Sequence, residues 1–395
     1  MNNKDKKTIL VTGGAGYIGS FTVKGLLNHL NNYQVVVLDN LENGHLEAVD
    51  KRAIFELADL SKKEEVRNIF QKYKIDAVID FAAYTPAGES MEFPEKFIKN
   101  NVFNFVNLLD VMQEFGCKNI IKSSTAAVYG NPLKESDFPL REDYTDKFKP
   151  KESSLLTGKW GADNVSGEQF FEHVIDCYNK NYADQPELAL NNEELVILRI
   201  PASVYGLTKL LDEIILDKFE RLHALKYIAL RYFNVCGADP KGLLGEDKPN
   251  PSTLMTLAIY TALGKNEKLK VFGNDYPTDD GTCIRDYIHP LDLASGHLAA
   301  LESLLENQES NKYNLGVGKG YSVLEVIHAV KEASGKKVNY SIEERRAGDP
   351  TISIADPSRA NEILGWQATQ TLTDMANSAW LWHSAHLKGY EGEPT

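Results

Sequence analysis

The sequence predicts an α/β fold: a doubly wound parallel sheet followed by a smaller C-terminal domain. Three observations predict it. A glycine-rich turn directly follows an apolar run near the N-terminus. An acidic residue closes the second apolar run. Strand-like and helical patterns then alternate through the first half of the chain.

The first run, Thr8–Val11, reads as a strand buried on both faces. Gly13-Gly14-Ala15-Gly16-Tyr17-Ile18-Gly19 follows, and its glycines permit a tight turn and close backbone approach to a pyrophosphate. Two glycine spacings fit, so the glycines alone do not choose between dinucleotide-binding families. A helix is expected over Phe21–His29 and a second strand over Gln34–Leu38. Asp39 lies 20 residues after Gly19, where a carboxylate accepts hydrogen bonds from an adenosine ribose and repels a 2′-phosphate. The expected cofactor is therefore NAD rather than NADP.

Helices are then expected over Lys63–Tyr73, Glu95–Phe115 and Lys209–Leu222, and strands over Ala77–Phe81, Asn119–Lys122 and Tyr227–Leu230. Ligands gather at the carboxyl ends of such strands, which nominates Asp39, Asp59, Phe81-Ala82-Ala83, Ser123-Ser124-Thr125 and Tyr232-Phe233-Asn234. Beyond Gly245 the elements shorten, so the expected division is a Rossmann-like domain over 1–245 and a substrate domain over 246–395. Residues 131–200 fit neither pattern and read as an insertion with structure of its own. A strand-like run, Leu195–Arg199, closes it. Its Leu198-Arg199 and Val204-Tyr205-Gly206 echo Leu230-Arg231 and Val235-Cys236-Gly237, which suggests a partial internal duplication; an unrelated helical excursion is the equal alternative.

Chemistry enters at Tyr205-Gly206-Leu207-Thr208-Lys209. On a helix, Tyr205 and Lys209 share a face. A free tyrosine titrates near about 10, and a neighbouring ammonium favours its phenolate. Beside a bound dinucleotide the pair can move a hydroxyl proton while hydride leaves the same carbon. A Tyr-x-x-x-Lys spacing alone is common on solvated helix faces; its context gives it meaning.

The formal net charge of −13 and pI near 5.3 argue against nucleic acid and anionic membranes as partners. The polar stretch Met1–Lys7 gives no signal peptide, and no apolar run reaches the length of a membrane span, so a cytoplasmic protein is expected. Cys117, Cys177, Cys236 and Cys283 lack metal-ligand spacing; reduced thiols and no metal site are expected.

Taken jointly, the glycine turn, Leu38-Asp39-Asn40-Leu41, Ser123-Ser124-Thr125, Tyr205/Lys209 and Arg231-Tyr232-Phe233-Asn234 resemble the extended short-chain dehydrogenase/reductase superfamily. Phe272-Gly273-Asn274-Asp275, Arg285-Asp286-Tyr287-Ile288-His289, Tyr313-Asn314-Leu315-Gly316 and Arg345-Arg346-Ala347-Gly348-Asp349-Pro350 narrow this to the UDP-glucose (UDP-galactose) 4-epimerase family, over nearly the whole chain except 131–200.

The resemblance implies reversible epimerisation at C4 of UDP-hexoses. Tyr205 would take the 4-hydroxyl proton, Lys209 would hold the nicotinamide ribose, and Thr125 would bond the sugar oxygen. NAD would accept the hydride and return it to the other face of the 4-keto sugar. The implied cofactor residues are Gly13, Gly16, Tyr17, Ile18, Gly19, Asp39, Asn40, Leu41, Asn43, Asp59, Leu60, Phe81, Ala82, Ala83, Asn100, Ser123, Tyr205, Lys209 and Phe233. On the substrate side they are Thr125, Asn234, Thr253, Leu254, Lys270, Phe272, Arg285, Tyr287, Arg346, Asp349 and Ser353. Arg285 and Arg346 would grip the diphosphate, Asp349 the uridine ribose, and Ser353 would line the space beside the sugar 2-substituent. A homodimer is also implied.

The chain departs from the family pattern at Asp80, where a His is usual, at Thr85, where a Lys is usual, and at Val204, where a Pro is usual. Thr125 and Tyr205 are 80 residues apart, a gap relatives close with a shorter loop. A catalytically impaired NAD/UDP-sugar-binding homologue with a structural or regulatory role is the competing reading; the intact Tyr205/Lys209/Thr125 set argues against it. A dehydratase is disfavoured because Ala126 and Ala127 follow Thr125 where that chemistry needs an acidic pair.

Overall fold

The computed structural model describes residues 6–31, 33–130, 132, 137–147, 159–160, 165–166, scattered positions between 172 and 198, 201–248, 250–346 and 349–391. Its centre is a seven-stranded parallel sheet. In chain order the strands are β1 (Thr8–Thr12), β2 (Gln34–Asp39), β3 (Ile54–Leu57), β4 (Ala77–Asp80), β5 (Asn119–Thr125), β6 (Lys226–Tyr232) and β7 (Asn311–Leu315). Their spatial order is β7-β6-β5-β4-β1-β2-β3, which reverses direction at β1 and opens the ligand crevice there. The strands are apolar on both faces because helices cover both, as in Ile9, Leu10 and Val11, all fully buried.

Helix α1 (Tyr17–Asn28) packs on one face against α5 (Pro290–Asn307); α2 (Lys63–Lys72), α3 (Asn104–Glu114) and α4 (Val204–His223) cover the other. The doubly wound architecture is as the sequence predicts. The two halves interleave, however: β7 and α5 come from beyond residue 246 yet complete the large sheet and its cover. A cut at 245/246 therefore does not separate sheet from substrate-side elements. The remaining C-terminal elements include Leu254–Ala262, Val323–Ser334 and Leu372–Ala385, which share a second core.

Two expectations along the chain are corrected. The helix expected over Glu95–Phe115 is not uniform, because a wide turn at Lys99–Phe103 separates Pro94–Ile98 from α3. Such π-type turns occur frequently at functional sites, and this one carries Asn100. The strand expected over Leu195–Arg199 begins instead as a helical turn. Glu194 and Leu195 are helical, and Leu198 N–H donates to the Glu194 carbonyl at 2.9 Å. Val196, Ile197, Arg199 and Ile200 lie outside the described residues, as does most of the suggested duplication.

The described part of the insertion packs on the parent domain. Ile175, Tyr178 and Leu198 are buried in one cluster with Leu207, Leu211 and Ile214 of α4. Lys218 of α4 pairs with Glu194 at 2.8 Å and donates to the Ala189 carbonyl at 3.1 Å. These described residues cover the outer side of α4, a helix buried over most of its length. Among the described residues, no helix is long and apolar enough to cross a membrane.

Candidate active site

The crevice begins at the glycine turn. Gly13 adopts φ +68°, and a Cβ there would meet Ala82 N at 2.8 Å. A Cβ on Gly19 would meet Gly13 O at 2.3 Å. Side chains are therefore excluded where the turn meets β4 and the start of α1. Gly16 caps α1 without a side-chain hydrogen bond, and no acid lies in the first turn, so the helix start presents N–H groups and positive dipole to an anion. Ile18 is half-buried in that turn, and Tyr17 is turned away, donating from its hydroxyl to the Gly237 carbonyl at 2.5 Å.

Asp39, at the end of β2, is buried; it accepts from Ala15 N–H at 3.0 Å and Leu41 N–H at 2.9 Å. Burial pushes its carboxyl up, and those N–H groups oppose the shift. Leu41 follows at φ +58°. One pocket brings together Gly13, Gly16, Asp39, Asn40, Asn43, Asp59, Leu60, Phe81, Ala82, Ala83 and Asn100 from the predicted set. Sequence reasoning missed Glu42, Gly44, Tyr84 and Asn104 on the same wall; the Tyr84 hydroxyl donates to Glu42 across it at 2.7 Å. A crevice with glycine at its closest approaches, an uncapped helix start and a carboxylate at the second strand end fits a dinucleotide.

The catalytic candidates sit where β5 meets α4. Ser203 caps α4, its hydroxyl accepting from Gly206 N–H at 3.1 Å, so the helix starts where Tyr205 needs it. Tyr205 is half-buried and its N–H donates to Ser90 Oγ at 3.1 Å, with the Thr125 hydroxyl near its phenol. Burial pushes the phenol up to about 12, opposed first by Thr125 and then by the charge of Lys122. Lys209 is fully enclosed and donates to the Ser123 carbonyl at 3.0 Å and to Ser123 Oγ at 3.2 Å. Burial lowers its ammonium to about 7.

Lys209 is held at Ser123, and Lys122, a residue the sequence reading used only as a strand position, is a further buried cation in this region. Phe233 is buried directly after β6.

The departure at Asp80 also finds its account. Asp80 is buried, accepts from the Thr12 hydroxyl, from Ala82 N–H at 3.2 Å and from Lys122 Nζ at 2.5 Å. It is spent on the sheet rather than on a ligand. Arg231 of the Arg-Tyr-Phe-Asn segment is likewise structural, making a buried bidentate pair with Glu213 at 2.9 and 2.6 Å.

The substrate-side candidates cluster on a small sheet. Arg285 pairs in register with Ser353, and Tyr287 with Asn234. Paired and alternate positions share a face, so these four residues line one side of it. Arg285 Nη2 bonds Asp349 Oδ1 at 2.8 Å, and the Arg346 guanidinium lies 4.0 Å over the Phe272 ring. Leu254 opens a helix capped by Thr253, whose hydroxyl is committed to Glu246 at 2.7 Å. Lys270 is exposed on the strand carrying Phe272. Ala347 and Gly348 lie outside the described residues.

A parallel switch-point sheet, a glycine cradle and a Tyr/Lys/hydroxyl set at the end of β5 together define a dinucleotide-dependent enzyme of the short-chain dehydrogenase type. Comparison with known proteins narrows the class. Residues 9–154 and 179–316 match the model of the NAD dependent epimerase/dehydratase family, and the chain belongs to that family. The unmatched stretch between them falls inside the insertion.

The chain is 40% identical over 393 residues to UDP-glucose 4-epimerase of Bacillus subtilis (strain 168), spanning 97% of this chain and 98% of the relative. It resembles the crystal structure of UDP-glucose 4-epimerase from Bifidobacterium longum in complex with NAD+ and UDP, with TM-score 0.77, 33% identity, and 97% and 100% of the two chains covered. The UDP-Glc/GlcNAc 4-epimerase of Campylobacter jejuni matches with TM-score 0.70, 35% identity, and 95% and 98% covered.

Proposed function

We propose that this chain is an NAD-dependent 4-epimerase of UDP-hexoses that interconverts UDP-galactose and UDP-glucose. The observation that carries the reading is the placement of Tyr205 at the capped start of α4, beside the end of β5, with Lys209 enclosed one helical turn on and bonded to Ser123.

NAD, when bound in the glycine crevice, supplies reversible hydride acceptance at the sugar C4. Gly13, Gly16 and Gly19 would admit its pyrophosphate, Asp39 its adenosine ribose, and Lys209 its nicotinamide ribose. Tyr205 takes the C4 hydroxyl proton and later returns it, while Thr125 holds the same oxygen. A bound nicotinamide cation would lower the Tyr205 phenol from the high value that burial gives it. Arg285 and Arg346 would clamp the diphosphate, with Arg285 exchanging part of its contact with Asp349 for phosphate oxygens. The hydride would return to the same sugar, so the reaction would need no outside oxidant or reductant.

The finer reading includes N-acetylated sugars. Ser353 is small and shares the sheet face of Arg285, and one matched relative is named a UDP-Glc/GlcNAc 4-epimerase. We further read the protein as a cytoplasmic homodimer paired through helices of the sheet domain, with residues 1–245 forming most of the NAD-binding part and 246–395 the UDP-sugar-binding part. Incubating the purified protein with UDP-galactose and no added NAD should yield UDP-glucose. Absence of product under those conditions, with added NAD also ineffective, would sink the reading.

A further inference from the structure

Behind the catalytic pair lies a buried charge cluster that the mechanism above does not use. Lys122 on β5, Asp80 on β4 and Asp212 on α4 are each fully enclosed. Lys122 Nζ lies 2.5 Å from Asp80 Oδ2 and 3.0 Å from Asp212 Oδ2, and 3.8 Å from the centre of the Phe105 ring. Asp80 also accepts from the Thr12 hydroxyl and from Ala82 N–H. Asp212 is one turn beyond Lys209. Neither of its carboxylate oxygens has a well-directed hydrogen bond, so its charge is met at ion-pair distance by Lys122, with Lys209 farther off.

A buried carboxylate with no other partner is costly unless a cation stands beside it. Lys122 therefore joins three parts of the site: the end of β1 through Thr12, the Phe81-Ala82-Ala83 wall through Asp80, and the catalytic helix through Asp212. A residue serving only to fill the core at position 122 would not need two acids around it.

We propose that Lys122, clamped between Asp80 and Asp212, is a positioning residue for the epimerisation: it fixes the catalytic helix, and Tyr205 with it, against the cofactor wall. The inference rests on the 4-epimerase reading. The groups facing the site from each element are few. Tyr205 is met by Lys122 from β5, Asp212 from α4 and Tyr232 from β6. Lys209 is met by Lys122, Asp80, Asp212 and Glu213. Glu213 is already neutralised by Arg231, and Tyr178 and Glu194 of the insertion face the network from outside α4. Lys122 favours the Tyr205 phenolate, and Asp212 opposes it.

The test exploits that opposition. In the full chain, kcat and KM are measured against pH for wild type, Lys122→Met, Lys122→Arg and Asp212→Asn, with bound nucleotide and thermal midpoint recorded for each. Lys122→Met should lower kcat about tenfold and move the rising limb of kcat to higher pH by about one unit. Asp212→Asn should move that limb to lower pH, and Lys122→Arg should return it toward wild type. A purely structural role would lower both midpoints without opposite pH shifts. Shifts in the same direction, or none, overturn the proposal.

If Lys122→Met does not fold, the direction of the Asp212→Asn shift decides alone. If wild type proves to lack epimerase activity, the 4-epimerase reading fails instead. An ultraviolet difference titration of the Tyr205 phenolate, against Tyr205→Phe, then reads the same two shifts without turnover.

Discussion

Arg285 Nη2 and Asp349 Oδ1 are bonded at 2.8 Å, so the residue assigned to the diphosphate and the residue assigned to the uridine ribose hold each other. Arg285 also donates to the Ile284 carbonyl at 2.8 Å, which leaves its guanidinium fixed on two sides before any ligand arrives. Preorganisation of this kind lowers the ordering cost of binding.

Asp349→Asn should therefore raise KM for UDP-glucose about tenfold and change kcat little, because contacts to the nucleotide are made equally in the ground and transition states. Steady-state kinetics check this. A fall in kcat with unchanged KM would place Asp349 in the chemistry rather than in binding.

Tyr205→Phe should reduce kcat by about 10²–10⁴-fold while keeping the fold and the bound nucleotide, since it deletes the proton acceptor and little volume. Its backbone bond to Ser90 Oγ and the Ser203 cap are untouched by the change. Near-wild-type turnover would remove Tyr205 from its role.

Much of this arrangement was legible in the sequence because it rests on local rules. The glycine turn, Asp39 and the i, i+4 spacing of Tyr205 and Lys209 each need only a strand end or a helix face to become a site. Lys122, Asp80 and Asp212 were not legible. Lys122 sits in a strand whose apolar neighbours mark it as buried, and only tertiary pairing reveals its two acids. Strand β7 was missed for a related reason. Asn311–Leu315 has polar residues at alternate positions, and its assignment depends on β6 waiting at the sheet edge. The wide turn at Lys99–Phe103 leaves no periodicity signal, because it adds residues to a helix that otherwise continues.

NAD should copurify with the protein, and NADP should not replace it, because a 2′-phosphate would meet the Asp39 carboxylate at the end of β2. Asp39 cannot swing away easily: two backbone N–H groups hold it, and a Cβ on neighbouring Gly44 would already touch its Oδ1 at 2.9 Å. Denaturing the protein and identifying the released nucleotide gives the answer. Recovery of NADP contradicts the assignment.

Stability should fall as pH drops from 6.5 toward about 4. Burial lowers His289, His297 and His383 from 6.5 to about 4 in the folded state. The unfolded chain binds more protons in that window, so each histidine withdraws about 2 kcal/mol by about pH 5. His289 shows the reason: its Nδ1 accepts from Leu291 N–H at 3.0 Å and cannot also carry a proton. Asp212 and Asp286, raised to about 6 by burial, bind protons in the folded state and offset part of the loss. Denaturant midpoints at stepped pH should decline through the window. A flat profile would mean that these imidazoles charge within the fold.

Substrate breadth turns on Ser353. It pairs in register with Arg285 in a two-residue strand, so its side chain stands on the face that carries Arg285, Tyr287 and Asn234. If that face receives the sugar 2-substituent, as proposed, a bulky residue there would leave room for a hydroxyl and exclude an N-acetyl group, whereas serine adds little volume and its hydroxyl can bond an amide. Wild type should therefore epimerise UDP-N-acetylglucosamine and UDP-N-acetylgalactosamine as well as UDP-glucose and UDP-galactose. Ser353→Tyr should retain the plain hexoses and lose the N-acetylated pair by about tenfold or more in kcat/KM, the scale expected when a pocket loses the volume of a small group. Both pairs should be assayed with both proteins. A wild type that ignores the N-acetylated sugars, or a Ser353→Tyr variant that still accepts them, would assign the breadth of this site to other residues.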